Sequence, residues 1–162
     1  EGLRQAKQLA LSGQLPRPDS VFSSPYNRAI DTAKALCEVF ELSFEVKDFL
    51  KEWNLQSLNL LDPEYTLETQ KGWMDHRIRV QGGESLFDVQ KRAYEGTVQI
   101  MSTLTSEIIY LVSHGTLIEM LCSKVGARPA VQSNVENMKF LDYAVFEFKD
   151  GALKLTRYII TL

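Results

Sequence analysis

What this sequence lacks narrows its function before anything it contains does. It has only two cysteines and two histidines, too few and too widely spaced for the clusters that hold zinc. No apolar run approaches the roughly 20 residues that span a bilayer, and no leader segment is visible, so a cytoplasmic protein with no membrane partner is expected. An excess of positive charge is also missing. The net charge of -3 and a pI near 5.5 leave no basic field for nucleic acid, although a local cluster of cations can still hold a small anion. Cys37 and Cys122 sit among apolar neighbours in helix-like runs, which reads as reduced packing residues rather than a disulfide or a metal pair. Repeats and low-complexity tracts are absent. With 162 residues, 44% hydrophobic and 24% charged, the chain suits one domain over residues 1–162 with a core of its own.

What is present centres on Ile108-Ile109-Tyr110-Leu111-Val112, an apolar run that stops at Ser113-His114-Gly115-Thr116. The pattern predicts a buried strand, a tight turn and then a helix carrying Leu117, Ile118, Met120, Leu121 and Cys122. In open α/β sheets ligands gather where strands end, and the N–H groups of the following helix favour anions. His114 and Gly115 stand at such a corner. A strand ending in His-Gly reads equally as a structural histidine satisfied in a turn.

A second corner lies upstream. The chain opens at Glu1-Gly2-Leu3 without a methionine and already in helical phase, with Leu3, Ala6, Leu9 and Ala10 on one face, so a preceding segment is expected to be missing. Pro16 and Pro18 separate this helix from a strand at 20–23. Ser24-Pro25 then predicts a helix start, the serine capping and the proline at the first helical position. Ala29, Ala33, Leu36, Cys37 and Phe40 form that helix's inward face. Arg28 falls in its first turn, where the helix dipole disfavours a cation unless an anion binds nearby, the alternative being a solvated surface arginine.

Phe44–Val46 reads as a short edge strand. Glu52 follows between Leu50 and Trp53, where desolvation would raise a carboxyl pKa and suit it to donate a proton; a surface glutamate beside a packing tryptophan is the plainer reading. From 54 to 83 the periodicity fades: Leu58, Leu60, Leu61, Tyr65, Leu67 and Trp73 suit a helical insert or lid, with His76 a lid or surface residue. Ser85 and Asp88 form a variant capping box for a helix whose inward stripe is Leu86, Val89, Ala93, Thr97, Ile100, Met101 and Leu104. The stretches 143–148 and 153–160, joined by Lys149-Asp150-Gly151, read as a hairpin whose turn tolerates positive φ.

Arg28, His114 and Glu52 together make a plausible phosphoryl-transfer set, cations for the phosphoryl oxygens and an acid for the leaving oxygen. The sequence resembles the histidine phosphatase superfamily, the phosphoglycerate-mutase-like fold, in its smaller phosphatase branch. The matching pieces are Gly2-Leu3-Arg4-Gln5-Ala6, Ser23-Ser24-Pro25 with Arg28-Ala29 and Thr32-Ala33, Leu50-Lys51-Glu52, Gly83-Glu84-Ser85 with Arg92, and Val112-Ser113-His114-Gly115, in the family's order. The resemblance implies a three-layer α/β/α sandwich with a mostly parallel sheet. It implies that Arg28 and Gly115 bind phosphate, that Glu52 is the proton donor or acceptor, and that His114 is the second histidine of the pocket. It further implies hydrolysis of a small phosphomonoester through a phosphohistidine, with no metal or cofactor.

The chain departs from that pattern in three places. The family's Arg-His-Gly motif, which carries the nucleophile on the first strand, is absent, so the 162 residues are expected to be inactive as they stand. Asn54-Leu55-Gln56-Ser57-Leu58 replaces the family's glycines after the acid. Asp142 stands where an asparagine is common. Two further readings follow: a catalytically dead relative that binds a phosphorylated ligand or a protein partner, and a mutase that returns the phosphoryl group to its substrate.

Overall fold

Strand β1 (Ser20–Ser23) lies between β2 (Phe44–Val46) and β3 (Ile109–Val112) in a parallel sheet of order β2-β1-β3. Val21 faces Phe44 on one side and Tyr110 on the other, and Ser23 faces Val46 and Val112. The computed structural model that shows this describes residues 1–55 and 63–160. Parallel neighbours need a crossover, which α2 (Asn27–Phe40) supplies between β1 and β2.

Side-chain alternation decides the layers. Val21, Tyr110 and Val112 pack with Ala33 and Cys37 of α2, over which α1 (Gly2–Leu11) lays Ala10 against Leu36 and Phe40. Phe22, Ile109 and Leu111 point the other way, onto Leu50 and Ile100 of α4 (Leu86–Thr103). Helices thus cover both faces, the expected three-layer α/β arrangement. Burying Phe22, left 5% exposed, is worth about 2 kcal/mol. The larger core lies beside the sheet. Val89 and Ala93 of α4 meet Leu117, Met120 and Leu121 of α5 (Gly115–Val125), and a C-terminal hairpin adds Phe146 and Leu153.

That hairpin, β4 (Tyr143–Lys149) and β5 (Ala152–Ile160), is antiparallel and forms its own two-stranded sheet. Asp150 and Gly151 at its turn adopt φ of 52° and 79°, as the sequence requires. The capping box also forms: Ser85 Oγ accepts from Asp88 N at 3.1 Å while Ser85 N donates to Asp88 Oδ2 at 2.9 Å. Caps of this kind contribute about 1 kcal/mol.

Several expectations need correction. Ser24-Pro25 does not begin α2, which starts at Asn27 with Tyr26 as N-cap and no side-chain cap bond. Ser24 Oγ instead accepts from Tyr26 N and meets His114 across the sheet's end, so tertiary contact displaces the cap. Strand β3 is half-buried rather than buried, since it is the sheet's edge and its outer side has no strand partner among the described residues. Leu3 is 53% exposed, in the first turn of α1. At the far end of α4, Met101 is half-buried and Leu104, already past the helix, is exposed. Of the 54–83 stretch, α3 (Tyr65–Met74) is helical, and Leu58, Leu60, Leu61 and most of the 54–58 replacement lie outside the described residues. α6 (Gln132–Asn137) completes the helices.

Candidate functional site

The carboxyl ends of β1 and β3 stop side by side because Ser24 N continues the ladder to Val112 O at 2.9 Å. Beyond them, Ser113 Oγ reaches across to Leu50 O at 2.7 Å, drawing the segment after β2 to the same edge. His114, 6% exposed, is the N-cap of α5. Gly115 opens that helix beneath α6: a Cβ there would lie 3.1 Å from Val135 and 3.4 Å from Met138.

Both ring nitrogens of His114 are engaged. Arg28 Nε donates to Nδ1 at 2.9 Å, and because arginine can only donate, Nδ1 carries the lone pair and Nε2–H points at Ser24 Oγ, 2.8 Å away. Burial, then the charges of Arg28 and Arg92, push the imidazole down from 6.5 to about 4, so it is neutral at pH 7. The Arg28 guanidinium lies 5.1 Å over the Tyr26 ring, which itself tilts against His114 at 5.3 Å. Arg28 is solvent-exposed, and its two terminal nitrogens have no protein partner among the described residues. An anion arriving at this corner would meet that fork directly.

Glu52 faces the same corner. Its Oε2 accepts from Thr116 N, in the first turn of α5, at 3.2 Å, and its Oε1 accepts from Trp53 N at 2.8 Å. Arg28, Glu52 and His114 therefore converge, as Gly115 does through its neighbours. Sequence reasoning gave no role to the arginine behind them. Arg92 Nη1 donates to Phe49 O at 2.7 Å and Lys51 O at 2.8 Å, and Nη2 donates to Glu52 O at 3.1 Å. Glu84 accepts bidentately from Nε and Nη2 of the same guanidinium, at 2.7 and 2.9 Å. The available signal was a charge at the margin of the α4 stripe, one turn after Val89 and beside Ala93.

Other candidates fall elsewhere. His76 is half-buried, edge-on to Trp73 at 5.8 Å, and burial lowers its pKa. Asp142 Oδ2 accepts from Lys139 N at 2.8 Å in a local turn. Glu119, fully buried on α5, accepts from both Arg128 terminal nitrogens, Asn134, Val131 N and the Tyr158 hydroxyl, tying the 126–134 segment and β5 to α5. A charge inside the run Leu117 to Leu121 was the sign of such a partner. Cys37 and Cys122 are buried free thiols, and burial pushes Cys122 up to about 12. Among the described residues no helix is long and apolar enough to cross a membrane.

Comparison with known proteins agrees with this geometry. The family model described as histidine phosphatase superfamily (branch 1) matches residues 1–161. A bifunctional protein of Mycobacterium tuberculosis is 34% identical over 107 residues, which is 63% of this chain and 29% of that protein, so the chain spans under a third of it. An acid phosphatase of Mycobacterium tuberculosis is 25% identical over 146 residues, covering 90% of this chain and 70% of the relative. Among solved structures, a mycobacterial glucosyl-3-phosphoglycerate phosphatase superposes with a TM-score of 0.76 at 20% identity, over 98% of this chain and 83% of the other. A phosphoserine phosphatase mutant from Entamoeba histolytica, in complex with phosphoserine, gives 0.75 at 18% identity, over 97% and 80%. Phosphatases recur among these relatives, and none of them supports the expectation of an inactive chain.

Proposed function

The chain belongs to the histidine phosphatase superfamily, and from that premise we propose that it forms the phosphate pocket of an enzyme hydrolysing small phosphomonoesters through a phosphohistidine. The observation that carries this reading is the Arg28–His114 contact at the joint end of β1 and β3, with Glu52 docked on the same helix N-terminus. A cationic fork, a histidine and a carboxyl group around one corner support this reading. Phosphatase names among the relatives point the same way.

In the proposed route the phosphoryl oxygens take the free nitrogens of Arg28 and the first N–H groups of α5, at Gly115, with His114 beside them. A histidine nitrogen attacks phosphorus and forms a P–N bond as the P–O bond to the leaving group breaks. The leaving oxygen takes that electron pair, and a proton from the Glu52 carboxyl group. Water then attacks phosphorus and gives its proton to the Glu52 carboxylate. The P–N bond breaks with its electrons returning to the imidazole, and inorganic phosphate leaves. Neither histidine of this sequence suits the attacking role, since both nitrogens of His114 are engaged and His76 packs on Trp73. The family resemblance implies an attacking histidine in an Arg-His-Gly motif, which these 162 residues do not contain.

The test is hydrolysis of p-nitrophenyl phosphate by the intact protein and by its His114→Ala, Arg28→Gln and Glu52→Gln variants. Activity that survives His114→Ala undiminished refutes the reading. Vanadate binding without turnover by the intact wild-type protein favours the second reading, a relative that only binds phosphorylated ligands. The engagement of both histidines motivates that alternative.

A further inference from the structure

We propose that Arg92 is a positioning residue for Glu52: gripped by Glu84, it fixes the backbone on which the carboxyl group is carried and thereby sets how well the leaving oxygen is protonated. The proposal rests on Glu52 acting as the proton donor.

Glu52 stands on irregular chain, so its place depends on whatever holds that segment. Residues 48–50 form one 3-10 turn and 51–55 have no regular structure. A loop of this kind leaves carbonyl groups unpaired unless side chains satisfy them. Arg92 takes three of them, Phe49 O, Lys51 O and Glu52 O, with two nitrogens. Its fork geometry permits this, and a lysine, as a single point charge, cannot reproduce it.

The guanidinium is held in turn. Glu84 binds it bidentately, and the pair is well shielded, with side-chain exposures of 20% and 25%. The Glu84 backbone completes the lock: Glu84 N donates to Asn54 O at 2.9 Å, and Trp53 Nε1 donates to Glu84 O at 2.8 Å. Gly83 lets these two segments touch, since a Cβ there would lie 2.2 Å from Asn54 O. Arg92 rides on α4, where Gly96 brings the helix against Phe49: a Cβ there would lie 2.3 Å from the ring. The loop bearing Glu52 is thus clamped from α4 on one side and from residues 83–84 on the other. None of these contacts uses the Glu52 carboxyl oxygens, which remain with Trp53 N and Thr116 N.

A positioning role has a signature that general destabilisation lacks. Protonation matters most for a poor leaving group, so the loss depends on the substrate. We would measure kcat/KM of the intact protein on glycerol 2-phosphate, an alkyl phosphate, and on p-nitrophenyl phosphate, whose leaving group needs little help. In Arg92→Gln the alkyl substrate should lose about 100-fold and the aryl substrate less than about tenfold, the same skew as in Glu52→Gln. Vanadate inhibition should stay within about threefold of wild type, because Arg28 and His114 are untouched. Arg92→Lys should recover part of the alkyl activity. Equal losses on both substrates, weakened vanadate binding or no loss would each overturn the proposal. Should Arg92→Gln fail to fold, Glu84→Gln and Arg92→Lys decide the same ratio. If Glu52→Gln itself shows no skew, the proton-donor reading fails and takes the proposal with it. If Glu52→Gln shows it and the Arg92 variants do not, the positioning role alone fails.

Discussion

Acidification should destabilise this protein in part through His114, a share that comparison with a His114 variant isolates. Its imidazole has an ordinary value of 6.5, and burial with the charges of Arg28 and Arg92 lowers it to about 4 in the fold. A native pKa below the unfolded one means that the unfolded chain binds the proton first. Stability is then full above about 6.5, falls as the pH drops below it, and the loss is complete near 4. At about 1.4 kcal/mol per tenfold change in ionisation, the interval corresponds to ~3 kcal/mol. Water at the Arg28 side of the pocket screens part of this, and about 2 kcal/mol is the expected loss. The assay is urea unfolding of wild type and His114→Gln at several pH values between 7.5 and 4.5. Carboxylates titrate alike in both proteins and cancel in the difference. Wild type should lose about 2 kcal/mol more than the variant over this range, and adding Arg28→Gln to wild type should reduce the loss by removing the nearer cation. Parallel curves for wild type and His114→Gln would refute the argument.

Three further outcomes follow from the same contacts. Arg28→Gln should weaken vanadate binding about 100-fold, the cost of losing charged hydrogen bonds of about 1.5–3 kcal/mol, with little change in melting temperature; inhibition titration and a thermal melt check this. Glu119→Gln leaves Arg128 without its carboxylate inside a buried network and should cost about 3 kcal/mol by urea unfolding, a change under about 0.5 kcal/mol contradicting the account. Gly83→Ala must displace the Asn54 carbonyl, so it should cost about 2 kcal/mol and, on the proposed clamp, depress alkyl phosphate hydrolysis more than aryl; unchanged stability would show that the two segments separate freely.

Much of this molecule was legible along the chain. An unbroken apolar run marked β3, the short stretch after Pro16 and Pro18 marked β1, the Ser85–Asp88 pair marked the start of α4, and Asp150-Gly151 marked the hairpin turn, because each depends on neighbours within a few residues. The corners at Arg28 and His114 were visible for the same reason. Misreadings arose where distant contacts outweighed local preference. Ser24 has the look of a cap but faces His114, 90 positions away, and β3 has the look of an interior strand but lies at an edge.

Sequence alone thus determined the strands, the longer helices α1, α2, α4 and α5, the two strand-to-helix corners and the kinds of residue placed at them, all consequences of short-range backbone preference and side-chain periodicity. Tertiary structure decided that the corners are one site. Arg28 and His114 lie 86 residues apart, and their contact exists because β1 and β3 pair in parallel with Ser23 opposite Val112. The neutral state of His114 depends on that register, whereas the grip of Arg92 on three carbonyls and the docking of Glu52 on α5 depend on how α4 and α5 meet the loop after β2. Register is a property of how strands meet, and no local pattern contains it.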